Sequence, residues 1–264
     1  MVIVNKSFGR HLLLASMLVV GSLSLAGCQT KTAGLGGADP ISTASIGPGS
    51  FSKTKELGAK WQKNPKDTKA GWAYAEGLGS LGQTQEQFKV LQTLAAQNPN
   101  DAALQGQVGK KLLSAGQTAE AVGMLDRSVA MGNNDWKTLS ALGSAYDQQG
   151  KYAQAREFYD QALAVSPNQV SVLNNKGMSY ALEGNLKQAE ATLRTANELP
   201  GSAAVPRLRQ NLALVVGLQG RFDESRTIAS ADLPPDQVEA NLAFLQKMLS
   251  QPNTWAELSD GEQG

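Results

Sequence analysis

Apolar side chains are distributed differently in three stretches of the chain. A nine-residue apolar run occupies residues 12–20, close to the N-terminus. Residues 28–53 hold only scattered apolar side chains among Gly, Ser, Thr, Ala and Pro. Residues 54–249 carry apolar side chains at the three- and four-residue spacing of amphipathic helices. The pattern predicts an all-α body, preceded by a flexible tether that buries too little surface to fold.

The helical part contains an internal repeat, because Gly82, Gly116, Gly150 and Gly184 follow one another at intervals of 34 residues. Around Gly150, small and bulky residues occupy fixed positions: Leu139, Leu142, Gly143, Tyr146, Tyr152, Ala155, Tyr159, Ala162 and Pro167. This pattern resembles the tetratricopeptide repeat, a 34-residue helix–turn–helix unit. Four units share the frame, near residues 68–101, 102–135, 136–169 and 170–203. A fifth, near 206–235, is displaced by two residues.

The resemblance implies a solenoid in which helix–turn–helix units form a right-handed superhelix with capping helices. Small residues at the eighth and twentieth positions of a unit let its two helices approach closely. Glycine at the fifteenth position suits the turn, because it tolerates positive φ. A single helix pair cannot bury its apolar face alone, so consecutive units stack.

Both ends of the solenoid are predicted to carry capping helices. Residues 54–63 resemble the second helix of an incomplete leading unit. A closing helix is predicted over 236–249, with Asp236 as its N-cap and Glu239 reciprocating. Its apolar stripe consists of Val238, Leu242, Leu245 and Leu249. Residues 250–264 are predicted to be a flexible tail, and its Trp255 is expected to dock on the body or on a partner.

The N-terminus has the layout of a secretory signal, in which Lys6, Arg10 and His11 precede the apolar run. The run ends in Leu25-Ala26-Gly27-Cys28, which resembles the bacterial lipobox. The resemblance implies that residues 1–27 are a lipoprotein signal peptide and that Cys28 receives a diacylglycerol. The alternative is an ordinary signal peptide followed by a buried free cysteine. Gln29 rather than Asp after the cysteine suggests the outer membrane, facing the periplasm, by the sorting rule of enteric bacteria.

The composition limits the binding and catalytic functions that the chain could have. The 264 residues hold 24 Lys and Arg against 23 Asp and Glu, and this balance argues against a nucleic-acid partner. His11 and Cys28 are the single histidine and cysteine. Processing before Cys28 would leave no histidine and an acylated thiol, which excludes His- or Cys-ligated zinc and a histidine base. We therefore expect no enzyme activity, no small-molecule substrate and no cofactor except the covalent lipid on Cys28, although carboxylate, Lys, Ser or Tyr chemistry remains open.

The repeat resemblance also implies a concave groove lined by the first helix of each unit. Its family positions correspond here to the following candidate residues: Lys69, Trp72, Glu76, Lys110, Lys137, Asp147, Asn174, Met178, Arg207 and Gln210. Such a mixed basic, amide and apolar channel suits an extended or helical peptide. The alternatives are that the charged residues form ordinary solvated helix faces, and that Trp72 and Met178 pack in the core.

A short stretch near the C-terminus carries a more specific resemblance. Residues 211–222, the sequence Asp232-Leu233-Pro234-Pro235 and the start of the closing helix, together with the lipobox and tandem units, resemble the TadD-like lipoproteins of tight-adherence (Flp) pilus systems. The resemblance implies a non-catalytic, lipid-anchored scaffold whose protein partner is a secretin or another pilus component. The alternative is a tetratricopeptide adaptor for another envelope process, such as outer-membrane protein insertion or peptidoglycan remodelling.

Overall fold

The structure, a computed structural model, describes residues 48–250, with side chains from Phe51 onward. The predicted signal peptide, the lipidation site Cys28, most of the tether and the tail beyond Ser250 lie outside the described residues. The described residues form two compact units, residues 48–133 and residues 134–250.

Both units consist of antiparallel helix pairs, and residues 48–250 contain twelve α-helices and no strand. The N-terminal unit comprises α1 (Pro48–Lys63), α2 (Thr68–Ser80), α3 (Thr84–Gln97), α4 (Ala102–Ser114) and α5 (Thr118–Ala130). The C-terminal unit comprises α6 (Trp136–Gln148), α7 (Tyr152–Val165), α8 (Val170–Glu183), α9 (Leu186–Glu198), α10 (Pro206–Leu218), α11 (Phe222–Ala229) and α12 (Pro235–Ser250). The predicted all-α repeat fold is confirmed.

Close approach within the second, third and fourth helix pairs depends on the glycine at the eighth position of the repeat, which is Gly109, Gly143 or Gly177. A Cβ at Gly143 of α6 would lie 2.7 Å from the Tyr159 ring and 2.9 Å from the Ala155 carbonyl oxygen of α7. A Cβ at Gly177 of α8 would lie 2.7 Å from Leu193 of α9. These distances are shorter than van der Waals contact, so the helices pack at a separation that only glycine permits.

The ends of the helices follow the repeat as well. Gly150, at the turn between α6 and α7, has φ of 74°, in the left-handed region that glycine adopts without strain. Asp67, Asp101 and Asp135 each precede the first helix of a unit and accept a hydrogen bond from a backbone N–H of its first turn. They lie 34 residues apart, so the same N-cap recurs in three consecutive units.

The two-residue displacement of the fifth unit has a local cause. After α9, the chain turns at Gly201, with φ of 87°, and forms a short 3₁₀ turn over Ser202–Ala204. The Ser202 hydroxyl donates to the Asn197 carbonyl at 2.7 Å, which fixes this turn to the end of α9. A buried cluster that includes Leu193 and Leu212 then continues from α9 into α10.

The first helix begins earlier than predicted. α1 starts at Pro48, so residues 48–53 belong to a helix and not to the tether. Proline is favoured in the first turn of a helix because its φ is already helical and its missing N–H would have no partner there. Thr54 is 6% exposed and packs beside Gly77 of α2, and Trp61 is 9% exposed. α1 therefore covers the first repeat.

The closing helix differs from the prediction at its N-terminus. α12 begins at Pro235, so Asp236 lies within its first turn and is not its N-cap. Glu239 does not complete a capping box, because its carboxylate accepts hydrogen bonds from Arg226 of α11, with 2.7 Å between Arg226 Nε and Glu239 Oε1. The apolar stripe packs as expected over Val238, Leu242 and Leu245, whereas Leu249 is 43% exposed.

Candidate partner-binding surface

In the N-terminal unit, the structure brings Lys69 and Trp72 together at a shallow pocket between α2 and α4. The pocket has a volume of about 410 Å³, and α4 contributes Leu104 and Gln107 to its lining. Lys69 is exposed and Trp72 is half-buried. A cation beside an accessible indole is a combination that can anchor a peptide side chain.

The other candidates in this unit lie farther along the same two helices. Glu76 of α2 forms an ion pair with Lys111 of α4, with 2.9 Å between Oε1 and Nζ, and both side chains are substantially exposed. Lys110 is half-buried. Lys111 does not occupy a groove position of the repeat, yet it neutralises Glu76, the acidic residue among the groove candidates of this unit.

In the C-terminal unit, Asp147 connects three helices. Its carboxylate accepts hydrogen bonds from the Tyr159 hydroxyl of α7 at 2.7 Å and the Ser179 hydroxyl of α8 at 2.6 Å. Ser144 of α6 lies 3.1 Å from the same Tyr159 oxygen. Asp147 is predicted to face a partner, but in the structure both of its carboxylate oxygens accept hydrogen bonds from neighbouring helices.

Burial controls the protonation of this cluster. Desolvation raises the pKa of Asp147 from 3.8 to about 6, although the hydrogen bonds from Ser179 and Tyr159 and the charge of Arg156 act in the opposite direction. Burial, followed by the neighbouring Asp147 charge, raises the pKa of Tyr159 well above its usual value of 10.0. Tyr159 therefore stays a neutral hydrogen-bond donor at physiological pH.

Asn174 also serves contacts between helices. It is 7% exposed, and its side-chain oxygen accepts a hydrogen bond from Asn211 Nδ2 of α10 at 2.8 Å. Its neighbour Asn175 donates to the Ser144 hydroxyl of α6 at 3.4 Å. Asn174 is predicted to line an accessible groove, but it is buried because the side-chain amide of Asn211 in the next repeat covers it.

The remaining candidates divide into packed and accessible residues. Met178 is half-buried and packs against the cluster shared by α9 and α10. Lys137 is exposed and lies 5.6 Å from the centre of the Trp136 ring. Arg207 is exposed and Gln210 is half-buried, both on α10. Of the polar candidates in this unit, Lys137, Arg207 and Gln210 therefore remain accessible.

One cationic group that the repeat positions do not select lies close to Asp147. Arg156 of α7 lies 4.4 Å from the centre of the Tyr180 ring and forms an ion pair with Glu183 of α8 at 2.8 Å. Its side chain is only 14% exposed. The pattern of polar and apolar residues along α7 does not predict that Arg156 joins two repeats, because its stacking partner, Tyr180, comes from the next repeat.

Within residues 48–250, no group of three or more His, Cys, Asp or Glu residues is placed to hold a metal ion. In the same residues, none of the helices combines the length and the hydropathy needed to cross a membrane. The polar clusters that are present join helices to one another through hydrogen bonds and ion pairs. The candidate residues thus contribute one open pocket and several accessible cations and amides to the described surface.

Comparison with known proteins agrees with this architecture. Family models of the tetratricopeptide repeat match residues 136–169 and 170–201. The comparison with curated proteins gives no match. Solved structures match at low identity: a tetratricopeptide repeat protein from Parabacteroides merdae is 16% identical, with a TM-score of 0.62, and the match covers 75% of this chain and 77% of that one.

Two further structures show the same fold. A thermophilic tetratricopeptide protein of Thermus thermophilus, TTC0263, is 22% identical, with a TM-score of 0.53 over 68% of this chain and 98% of its own. YrrB, described as a tetratricopeptide protein with an unusual peptide-binding site, is 13% identical, with a TM-score of 0.55 over 74% of this chain and 99% of its own. The chain carries tetratricopeptide repeats in a tetratricopeptide solenoid fold, the architecture of a protein-interaction scaffold.

Proposed function

We propose that this protein is a non-catalytic, lipid-anchored interaction scaffold that assists assembly of a tight-adherence (Flp) pilus or a related secretion machine. In this proposal, the acyl chains on Cys28 hold it in the outer membrane, facing the periplasm. The repeats bind a segment of a secretin or of another component, and this binding helps the component to localise or assemble.

The observation that carries the scaffold role is the pocket formed by Lys69, Trp72 and the facing residues of α4. Exposed Lys69 supplies a charge for a carboxylate, and half-buried Trp72 supplies an apolar surface. Aromatic side chains in such positions contribute most of the binding energy in many interfaces. YrrB, which shares the fold, is described as having a peptide-binding site, and we extend peptide binding to this chain as part of the proposal.

The sequence supports the finer assignment. The lipobox at Leu25-Ala26-Gly27-Cys28 supports the lipid anchor, and residues 28–47 offer a polar connection to the folded body. The stretch at residues 211–222 and the sequence Asp232-Leu233-Pro234-Pro235 support the pilus system, because they are less widespread than the repeats themselves.

Deletion of the gene tests the pilus role directly. We expect loss of surface pili together with lower abundance or mislocalisation of the secretin, both restored by the wild-type gene. Complementation with Cys28→Ser tests anchoring separately from partner binding, because this variant keeps the repeats but lacks the thiol that would carry the lipid, and we expect it to be lost from the outer-membrane fraction. Unchanged secretin and pili in the deletion strain would reject the pilus role.

The second candidate function is an adaptor for outer-membrane protein insertion or peptidoglycan remodelling, which the same anchor and repeats would serve. Purification of the tagged protein from detergent-solubilised envelopes discriminates between the two. Recovery of a secretin or pilus component supports the first function. Recovery of a barrel-insertion protein or a peptidoglycan hydrolase, with neither of the former, supports the second.

A further inference from the structure

Positive charge is concentrated at the start of the described chain. Residues 51–69 hold six lysines against Glu56 and Asp67, a net charge of +4. The chain after Lys69 holds 15 Lys and Arg against 20 Asp and Glu, a net charge of −5. Because the whole chain is close to neutral, this separation creates a local positive potential that composition alone conceals.

All six lysines of this segment are exposed: Lys53, Lys55, Lys60, Lys63, Lys66 and Lys69. Thr54 and Trp61 define the buried side of α1. At helical spacing, Lys53, Lys60 and Lys63 form one stripe on the solvent-facing side of α1, with Glu56 among them, and Lys55 lies on the other flank of that side. The outward face of this helix thus carries four cations and one anion.

One acidic group of this segment is already engaged by the backbone. The Asp67 carboxylate accepts a hydrogen bond from the Ala70 N–H at 2.9 Å, so the N-cap of α2 already engages this acidic group. The exposed charges that remain on this segment are therefore predominantly positive, which suits an anionic lipid surface.

We propose that α1 and the loop that follows it, through Lys66, form a contact surface for anionic phospholipid headgroups. The lysines would bind headgroup phosphates. That this surface lies near a membrane in the cell rests on the proposed function. Acyl chains on Cys28 would keep Lys53, which is 25 residues later, close to that membrane. The attraction itself requires no lipid anchor.

Contact with lipid headgroups would determine how the N-terminal unit is oriented at the membrane. A lipid on Cys28 would fix the protein to a membrane but would not determine which face of the folded body lies against it. A basic face on α1 would hold the N-terminal unit with that helix against the bilayer. The opposite side of the unit would then face the periplasm and its partners.

The experiment uses the chain from residue 28 onward with Cys28→Ser, the unlipidated form of the proposed mature protein, which keeps every described helix. Binding to vesicles of phosphatidylglycerol and phosphatidylethanolamine is measured by flotation, with phosphatidylcholine vesicles as the neutral probe. We expect binding to the anionic vesicles that weakens as salt is added, and little binding to the neutral ones.

A triple variant Lys53→Gln, Lys60→Gln and Lys63→Gln should lower the partition coefficient on the order of 100-fold, since each surface lysine contributes about fivefold. The matched control replaces three exposed lysines elsewhere, Lys89→Gln, Lys187→Gln and Lys247→Gln, and should bind much more tightly than the first triple variant. Circular dichroism verifies that each variant is folded.

Equal binding by the two triple variants would overturn the proposal, as would equal binding to anionic and neutral vesicles. Binding to an acidic polypeptide without binding to anionic vesicles would also overturn it and would assign the patch to a protein partner. These outcomes are independent of the deletion experiment. If the deletion strain shows no pilus defect, the vesicle-binding result still stands. If the chain does not bind vesicles, the deletion experiment still decides whether it assists secretin assembly.

Discussion

The Asp147 carboxylate accepts the hydrogen bond of the Ser179 hydroxyl at 2.6 Å, across the joint between two consecutive repeats. Tyr159 donates to the other carboxylate oxygen at 2.7 Å, so three helices converge on one acidic group. Burial nevertheless raises the pKa of Asp147 to about 6. The joint therefore contains a carboxylate whose ionised form is destabilised by the fold that surrounds it.

This relationship predicts that Asp147 makes stability depend on pH. In the unfolded chain the carboxyl loses its proton near 3.8, whereas in the folded chain it keeps the proton until about pH 6. The folded state binds more protons between these values, so the contribution of Asp147 to the free energy of unfolding falls as pH rises through this window. The total loss is about 3 kcal/mol. Urea unfolding at a series of pH values measures it.

Asp147→Asn is the control for this titration, because it keeps the size and polarity of the side chain but cannot ionise. We expect the difference in unfolding free energy between variant and wild type to shift in favour of the variant as pH rises from 4 to 6. Identical pH profiles for the two proteins would show that Asp147 titrates normally. Ser179→Ala should instead destabilise the ionised protein by about 1–3 kcal/mol, since it removes a donor to the charge.

A second prediction concerns the close packing of the helix pairs. Gly143→Ala would place a methyl group 2.7 Å from the Tyr159 ring and 2.9 Å from a backbone oxygen. We expect a loss of about 1–3 kcal/mol in unfolding free energy, because the backbone has to move to accommodate the methyl group. Thermal denaturation followed by circular dichroism gives the change.

Gly123→Ala is the matched control, since Gly123 also lies within a helix but a Cβ there would meet no atom within 4 Å. The same substitution should stabilise the protein at this site by about 0.5–1 kcal/mol, the usual gain of alanine over glycine in a helix. If both variants shifted the midpoint in the same direction, close packing at Gly143 would not be the cause.

The closing helix gives a third prediction through Arg209 and Asp232. Arg209 of α10 binds both carboxylate oxygens of Asp232, which lies between α11 and α12, and the two side chains are 19% and 9% exposed. Arg209→Lys keeps the charge but loses the planar fork. We expect faster amide hydrogen exchange throughout α12 and a lower midpoint of thermal unfolding.

Arg226→Lys provides the comparison for this pair. Arg226 also binds two carboxylates, those of Asp223 and Glu239, but these ion pairs are exposed to solvent. Exposed pairs contribute little to stability, so this variant should leave the midpoint and the exchange of α12 almost unchanged. An equal effect of the two lysine variants would argue against a special role for the Arg209 fork.

Much of the fold could be predicted from the sequence, because a 34-residue period imposes the same packing demands in every unit. Gly143 and Gly177 were identifiable by their spacing, and so was the positive φ at Gly150. The recurring N-caps at Asp67 and Asp101 were also within reach of spacing, since Asp precedes three successive first helices at the same interval. Local chemistry repeated at a fixed interval is visible in a single sequence.

The candidate surface was less predictable, because accessibility depends on neighbouring units. Asn174 occupies a family groove position, yet Asn211 of the displaced fifth unit covers it. Asp147 occupies another, and two hydroxyls from α7 and α8 take up its carboxylate oxygens. Periodicity predicts the face of a helix on which a side chain lies. It does not predict which neighbour will form hydrogen bonds with that side chain.

The last prediction separates binding from packing with two tryptophans of the N-terminal unit. Trp72 is half-buried beside Lys69 at an open pocket, whereas Trp61 is 9% exposed and donates to the Pro65 carbonyl at 3.1 Å. If the proposed partner is a secretin segment, we expect Trp72→Ala to weaken binding of the purified chain to that segment by roughly tenfold or more. Its unfolding free energy should stay within about 1 kcal/mol of wild type.

Trp61→Ala should give the opposite result, because removal of a buried indole leaves a cavity under α1. We expect it to cost about 3–5 kcal/mol of stability, with binding by the fraction that remains folded close to that of wild type. Isothermal titration calorimetry and urea unfolding on the same preparations measure both quantities. If Trp72→Ala destabilised the chain as much as Trp61→Ala and left binding intact, Trp72 would be a packing residue and the pocket would not be the binding site.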